Sequence, residues 1–148
     1  MSTIILGISA YYHDSAACLL VDGKLVTAAQ EERFTRKKHE ASFPTNAIRF
    51  ILDTYGVTVS DLTTIAFYDK PILKFERLLE TYHGFIPKGL PSFLSSIPVW
   101  IKEKLFMKHM LWKELDKIEE ARIKVRPALT FPEHHLSHAA LSLIHISE

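Results

Sequence analysis

The first thirty residues alternate short apolar runs with polar turns, and this pattern predicts a β-sheet. Ile4–Ser9 is apolar and rich in β-branched residues, which predicts a strand buried on both faces. Ala16–Val21 predicts a second strand, and residues 24–31 predict a third. The dipeptide at 22–23 is Asp-Gly, which is a strong signal for a two-residue hairpin turn. We therefore predict a three-stranded meander, in which the polar segment 10–15 joins the first two strands.

A helix and a fourth strand are predicted next along the chain. Apolar residues at helical spacing over residues 47–55 predict a helix that Gly56 ends. Either Ser42 or Thr45 is expected to cap its amino terminus. Residues 64–68 predict the fourth strand. The order β-β-β-α-β predicts a mixed α/β sheet with a crossover helix.

The second half of the chain has a different texture. Residues 71–122 contain long amphipathic stretches interrupted by prolines, which predicts a helical insertion between strands. Lysines interleave with its apolar positions, and we interpret them as a solvated face instead of a nucleic-acid surface. Residues 125–131 predict a fifth strand. The sequence thus predicts one domain that carries this insertion.

Composition narrows the classes of function. A formal net charge of +1 gives no reason to expect nucleic acid or an acidic membrane as the main partner. The single cysteine, Cys18, excludes an internal disulfide and sits in an apolar run, so we interpret it as a small buried hydrophobe. No apolar run has the length of a membrane span and no signal peptide is evident. We therefore expect a soluble, cytoplasmic protein.

The loop after the first strand carries candidate chemistry. His13 is able to donate or accept a proton near neutral pH, and Asp14 is placed to orient it. Ser15 and its backbone amide are candidates for binding a phosphate. The alternative is a surface His–Asp pair with no role in function. Loops at strand ends are where ligands bind in open α/β sheets, which keeps the functional interpretation open.

A dense run of charges follows the third strand, over residues 31–39. Arg33 and Arg36 have the guanidinium geometry to clamp a phosphate or carboxylate, although a solvated turn is the usual outcome for such a run. Because antiparallel neighbours alternate in direction, this run is expected at the same end of the sheet as the His13 loop.

The most distinctive motif is a pair of histidines four residues apart, His134 and His138. On a helix the two imidazoles would share a face and could close on one metal ion. Structural histidines are the alternative. His135 lies between them and would point about 100° away around the helix. Glu133 precedes the pair, so the metalloprotease pattern with a glutamate inside the pair is not matched.

Several of these motifs, in this order, resemble the N-terminal domain of the O-carbamoyltransferases. That family includes enzymes that decorate nodulation factors and antibiotics. The resemblance extends from about residue 3 to residue 140 and is specific, because unrelated motifs recur at matching spacing. The segments that carry it are residues 5–9, 13–17, 22–23, 29–39, 43–44 and 134–140.

The resemblance implies an actin-like ATPase fold, of the ribonuclease H-like class, of which this chain would be a half-domain. It implies that the parent enzyme uses carbamoyl phosphate and ATP with Mg²⁺ to form a carbamoyl-adenylate. The carbamoyl group would then pass to a hydroxyl of a small molecule. His13 would be the catalytic histidine. His134 and His138 would ligate a divalent metal, expected to be iron, together with an aspartate from a later part of the family's chain.

The resemblance implies that the glutamate–arginine run lies near the acceptor, and the residues themselves offer four candidates for binding substrate. These are Asp14, Ser15, Arg33 and Arg36.

Two other functions remain open at this stage. One is a transferase of the threonylcarbamoyl type that acts on tRNA, and the other is a non-catalytic, actin-like module that binds a nucleotide or metal. Residues 141–148 resemble the translation of a transposon end used to prepare sequencing libraries. We therefore expect the native sequence to end near residue 140, the C-terminal part of the same chain to be missing, and the fragment to be inactive alone.

Overall fold

The chain forms two compact units, one of residues 1–69 with 113–148 and one of residues 70–112. Most of the described structure lies in the first unit. No helix in the described part of the chain is both long and apolar enough to cross a membrane. The computed structural model describes residues 2–68, 106–119 and 125–132.

The described residues contain one five-stranded mixed sheet in the order β3-β2-β1-β4-β5. The first three strands pair antiparallel, as the meander predicts, and β1 pairs parallel to β4, which pairs parallel to β5. The prediction of a mixed α/β sheet is confirmed. The strands are β1 (Ile4–Ser9), β2 (Ala16–Val21), β3 (Lys24–Gln30), β4 (Thr64–Phe67) and β5 (Ala128–Thr130).

Three α-helices are described, with a short 3₁₀ turn at Val59–Asp61. Gly56 ends α2 in the left-handed conformation, with φ of 70°, and donates its N–H to the Leu52 carbonyl, which confirms the predicted end. α3 falls within the predicted helical insertion, most of which lies outside the described residues. The helices are α1 (Glu32–Thr35), α2 (Thr45–Tyr55) and α3 (Met107–Ile118).

One face of the sheet is buried along its three central strands, β2, β1 and β4. Helix α2 packs against β2 and β3, and alternate strand side chains such as Leu6, Leu19 and Ile65 are completely buried. The intervening residues of β1, including Gly7, are only partly buried, so the prediction that this strand is buried on both faces is wrong. In the described residues α2 covers one face only, and the other face bears a groove.

The fifth strand is shorter than predicted. It begins at Ala128 instead of residue 125, and Val125 is exposed. Pro127 immediately precedes the strand and has no N–H to contribute to a ladder, which accounts for the late start.

The amino terminus of α2 is capped from a distant part of the chain. The residue before the helix is Pro44, and neither Ser42 nor Thr45 provides the predicted side-chain cap. Instead the carboxylate of Glu31, which is 2% exposed, accepts three hydrogen bonds. The donors are Asn46 N at 3.2 Å and Asn46 Nδ2 at 2.7 Å, both to Oε1, and Ala47 N at 2.9 Å to Oε2.

The sequence predicts Glu31 as the last residue of the third strand, but β3 ends at Gln30 and Glu31 lies beyond it. Its carboxylate satisfies N–H groups that the first turn of a helix leaves without intrahelical partners. The negative charge also interacts favourably with the positive end of the helix dipole. The buried carboxylate thus joins the end of β3 to the start of α2.

Close packing within the sheet fixes a second position, Gly7 in β1. Gly7 is paired with Cys18 in β2, and a Cβ at Gly7 would lie 2.7 Å from the Cys18 Sγ. Burial is the main cause that raises the pKa of the Cys18 thiol. The neutral thiol therefore predominates near neutral pH. The Cys18 residue is only partly buried, so its interpretation as a small buried hydrophobe is not confirmed.

Replacing Glu31 should destabilise the fold more than replacing its neighbour. For Glu31→Ala we expect the free energy of unfolding to fall by about 2–4 kcal/mol, because three donors lose a charged acceptor. Glu31→Gln should cost less, since its one acceptor oxygen retains part of the cap. Urea titration followed by circular dichroism measures both, with Glu32→Ala as the matched control. A loss for Glu31→Ala no larger than that for Glu32→Ala would contradict the capping role.

Adding one methyl group at Gly7 should be destabilising only while Cys18 is present. We expect Gly7→Ala to lower the free energy of unfolding by about 1–2 kcal/mol, because the Cys18 thiol must leave its rotamer. In the Cys18→Ala background, adding Gly7→Ala should lower the free energy of unfolding much less than it does in the wild type. Thermal unfolding of the four proteins gives the coupling energy. Strict additivity of the two substitutions would show that the close contact is not the cause.

Candidate functional site

Two segments that are distant in sequence meet at the carboxyl end of β1. The loop over residues 10–15 and the segment 39–41 are joined by two backbone hydrogen bonds of 2.8 Å. Tyr11 N donates to the Ala41 carbonyl, and Ser15 N donates to the Glu40 carbonyl. The structure thus brings the charged run to the same end of the sheet as the His13 loop, as the strand directions predict. We name these two segments the loop clasp.

The loop clasp holds a cluster of three titratable side chains. His13 Nδ1 lies 2.8 Å from Asp14 Oδ2, and His39 Nδ1 lies 3.1 Å from Asp14 Oδ1. The three side chains are 57%, 42% and 79% exposed for His13, Asp14 and His39 respectively. The sequence predicts the first two of these residues as partners. It does not single out His39, because the contact spans 25 positions and depends on the loop clasp.

Asp14 is an ionised acceptor for both rings. The hydrogen bond with His13 is the largest of the causes that hold the pKa of Asp14 below its usual value. The hydrogen bond with His39 and the charges of both rings add to it, against an opposing effect of desolvation. Because a carboxylate only accepts, each imidazole donates through Nδ1. This arrangement leaves Nε2 of each ring as the nitrogen able to exchange a proton with a ligand.

The backbone around the cluster adopts an uncommon conformation. Tyr11, Asp14 and His39 have φ values of 69°, 52° and 56°, in the left-handed region. Asp and His are among the residues that tolerate this region best, whereas for a bulky residue such as tyrosine it is an outlier. Such conformations persist where surrounding contacts enforce them, and they concentrate at functional sites. The hydrogen bonds of the loop clasp are the enforcing contacts here.

Ser15 lies in the loop with its amide already engaged. Its N–H donates to the Glu40 carbonyl, so this amide is already engaged within the protein. The Ser15 side chain is 1% exposed, and its hydroxyl has no hydrogen-bond partner in the described part of the chain. An unpaired buried hydroxyl is rare and calls for an explanation, of which a ligand is one. The hydroxyl, not the amide, is therefore the group with free bonding capacity.

Tyr11 presents a second buried hydroxyl without a hydrogen-bond partner in the segments that the structure describes. Burial, with a smaller effect from the carboxylate of Glu114, raises the pKa of Tyr11 to about 12. The phenol therefore remains neutral at physiological pH. Its ring contacts those of Phe43 and Phe67, with centroid distances of 6.3 Å to each. Aromatic packing thus fixes the root of the loop that bears His13.

The partly buried face of the sheet forms a groove of about 590 Å³. Its walls come mainly from small side chains of adjacent strands, and Gln30 and Arg33 are polar members of its lining. The predicted clamp residues therefore separate: Arg33 lines the groove, whereas Arg36 follows α1 as its left-handed C-cap and does not line it. Both side chains are exposed. The strand residues of this face that line it are Gly7, Ser9, Ala16, Cys18, Ala28, Gln30 and Ala66.

The predicted metal ligands follow the last described residue, Pro132. His134 and His138, with His135 between them, lie outside the described residues, as does the predicted non-native tail. In the described ranges no group of three histidine, cysteine, aspartate or glutamate side chains is arranged to hold a metal ion. The metal site therefore stays a prediction from sequence.

Comparison with known proteins supports the motif-based resemblance. Residues 4–146 match the family model described as the carbamoyltransferase N-terminus. The chain is 54% identical to the protein sll1178 of Synechocystis over 93% of its own length and 22% of that protein's. It is 31% identical to the nodulation protein NolNO of Sinorhizobium fredii over 88% of the chain and 17% of the relative.

A solved structure, YeaZ from Pseudomonas aeruginosa, is 18% identical and matches 46% of this chain and 30% of its own, with a TM-score of 0.34. That score is too low to support a statement about the fold. The chain spans about a fifth of the length of the two curated relatives that it matches. On the family match over nearly its whole length, the chain belongs to the carbamoyltransferase family, whose N-terminal region it represents.

Proposed function

We propose that the full-length protein is an ATP-dependent O-carbamoyltransferase. It takes the carbamoyl group from carbamoyl phosphate, passes it through a carbamoyl-adenylate, and delivers it to a hydroxyl of a small molecule. The observation that carries this proposal is the His13–Asp14 pair on the β1–β2 loop, in a chain that belongs to the family. We also propose a cytoplasmic location, where ATP and carbamoyl phosphate are both present.

His13 is the proposed catalytic histidine. Its Nδ1 is held by Asp14, so its Nε2 is the atom that donates or accepts a proton close to the carbamoyl group. In the final transfer the acceptor hydroxyl oxygen bonds to the carbamoyl carbon while AMP leaves. A base must take the hydroxyl proton, and an imidazole suits that role at neutral pH. The earlier step needs a base as well: water replaces the phosphate of carbamoyl phosphate, the base takes a proton from that water, and the resulting carbamate displaces pyrophosphate from ATP. We propose His13 for both proton transfers. Asp14 fixes the tautomer and orientation of the ring.

Binding of the phosphorylated substrates is proposed for three nearby side chains. The buried Ser15 hydroxyl has free hydrogen-bonding capacity. Arg33 lies at the groove beside the loop, and its guanidinium is suited to bind phosphate bidentately. Arg36 lies one turn further along on an exposed C-cap and is the weaker candidate of the two arginines.

The fold proposed for the complete domain is the actin-like ATPase half-domain. Three antiparallel strands followed by two parallel ones, in the order β3-β2-β1-β4-β5, are in keeping with that class. Its site residues lie on the loop that follows a central strand, where ligands bind in open α/β sheets. The nucleotide, bound with Mg²⁺, would require the later part of the protein.

His134 and His138 are the proposed ligands of a divalent metal, expected to be Fe²⁺. Two imidazoles with an oxygen from an aspartate form a donor set suited to that class of metal. When bound, the metal would supply positive charge beside the phosphate region of the nucleotide. The aspartate would come from the C-terminal part of the same protein, so the 148-residue chain is expected to be inactive alone.

The full-length protein should release pyrophosphate from ATP only when carbamoyl phosphate is present. For His13→Ala we expect the rate of this release to fall by about 100-fold or more, the usual scale for losing a general acid or base. His109→Ala is the matched control, because His109 is an exposed histidine on α3, and it should retain full activity. A coupled pyrophosphate assay measures all three proteins. The proposal would be refuted if pyrophosphate release did not depend on carbamoyl phosphate, or if His13→Ala released pyrophosphate at the wild-type rate.

Metal content should depend on two of the three clustered histidines. In full-length protein purified without oxygen, His134→Ala and His138→Ala should each lose most of the bound metal, since loss of one ligand opens the site. His135→Ala should retain it, because position 135 points about 100° away on a helix. Elemental analysis by mass spectrometry gives the metal-to-protein ratio. Equal losses from all three variants would show that the assigned pair is wrong.

A further inference from the structure

Asp14 uses both of its carboxylate oxygens on imidazoles. Oδ2 accepts a hydrogen bond from His13 Nδ1 at 2.8 Å, and Oδ1 accepts one from His39 Nδ1 at 3.1 Å. The two histidines come from opposite sides of the loop clasp, so the carboxylate bridges two segments of chain. Nothing in the sequence or the family match assigns a role to His39.

We propose that His39 is a positioning residue of the site, which acts through Asp14 to hold the His13 ring in its working orientation. The inference rests on the proposed function, in which His13 moves a proton. Its physical basis is the geometry of a carboxylate. Engaging one oxygen leaves the group free to rotate about its last bond, whereas engaging both oxygens fixes the plane.

The exposure of the cluster makes such a fixing contact necessary. The His13 side chain is 57% exposed, and Asp14 is 42% exposed, so burial does not hold either in place. Apart from Asp14, the contact described for the His13 ring is with the ring of Tyr12, whose own side chain is largely solvent-exposed, at a centroid distance of 4.5 Å. The orientation of His13 therefore depends on Asp14, and that of Asp14 depends on His39.

The backbone supports the same conclusion. Asp14 and His39 both occupy the left-handed region, with φ of 52° and 56°, and these two residues contact one another. The hydrogen bond from Ser15 N to the Glu40 carbonyl, one residue beyond each, brings them together. Two adjacent segments thus share an unfavourable conformation whose result is the His13–Asp14–His39 arrangement.

A stabilising role is a poor explanation for His39. Its side chain is 79% exposed, and ion pairs between exposed groups contribute little to stability. Removing the ring should therefore leave the unfolding midpoint nearly unchanged while it disturbs His13. This separation of effects makes the inference testable.

The kinetic test compares three substitutions of His39 in the full-length protein. His39→Asn keeps an amide N–H close to the position of Nδ1, His39→Gln places its amide near Nε2 instead, and His39→Ala removes both. We expect kcat for carbamoyl phosphate-dependent pyrophosphate release to fall about 10-fold in His39→Ala and His39→Gln, with KM little changed. His39→Asn should restore the rate to within about threefold of the wild type.

A second readout needs no substrate. In the full-length protein with ¹⁵N-labelled histidine, the nitrogen shifts should show the Nδ1–H tautomer for neutral His13. His39→Ala should shift His13 towards the Nε2–H form that predominates in water, and His39→Asn should not. His109→Ala is the control and should leave the His13 signals unchanged.

The outcomes separate the two proposals. If His39→Asn is as slow as His39→Ala, the His39 Nε2 itself is required and the positioning role is wrong. If His39→Ala leaves both kcat and the His13 tautomer unchanged, His39 has no influence on the site. If the tautomer responds as expected but no carbamoyl phosphate-dependent reaction is found, the positioning of His13 holds and the proposed function fails.

Discussion

The buried carboxylate of Glu31 is the interaction on which the rest of this structure depends. Its side chain caps α2, the helix that covers the buried face of the sheet, through Asn46 and Ala47. Its backbone N–H donates to the Ser15 carbonyl at 2.8 Å, which ties β3 to the end of the His13 loop. One residue therefore links the hydrophobic core to the candidate site. A charge this deeply buried is tolerated because it is surrounded by donors.

The site combines strand ends that are held by buried side chains with a loop whose titratable side chains are exposed. Buried side chains of β1 and β4, such as Ile8 and Phe67, hold the strand ends in place. The loop that follows β1 leaves the side chains of His13 and Asp14 partly exposed to solvent. Hydrogen bonds within and across the loop clasp hold this exposed cluster. This arrangement gives His13 a defined orientation without burying it, which suits the proton transfer that we propose for it.

The features that the sequence predicts well are those determined by near neighbours. The bounds of β1 and β2 follow from runs of apolar residues, and the hairpin follows from Asp22 and Gly23, which have φ of 51° and 80°. The end of α2 at Gly56 is equally local. The start of α2 is not predictable in this way, because its cap comes from Glu31, fifteen residues before Asn46. Local capping rules favour Ser42 or Thr45 and fail for that reason.

The candidate site was predictable in part for the same physical reason. His13 and Asp14 are adjacent, so their contact is local, and strand direction places the charged run beside them. His39 and the engaged amide of Ser15 depend on pairing between two loops, which no short-range pattern encodes. The burial of β1 was misjudged because an apolar run does not reveal whether one face or both will be covered.

The most direct test of the central claim is a crystal structure of the full-length protein with carbamoyl phosphate and a non-hydrolysable ATP analogue. The account predicts that His13 Nε2 lies within hydrogen-bonding distance, about 2.7–3.2 Å, of the carbamoyl or phosphate group, with Asp14 still bound to Nδ1. Ligands bound away from the loop over residues 10–15, with the His13 ring facing only solvent, would contradict it.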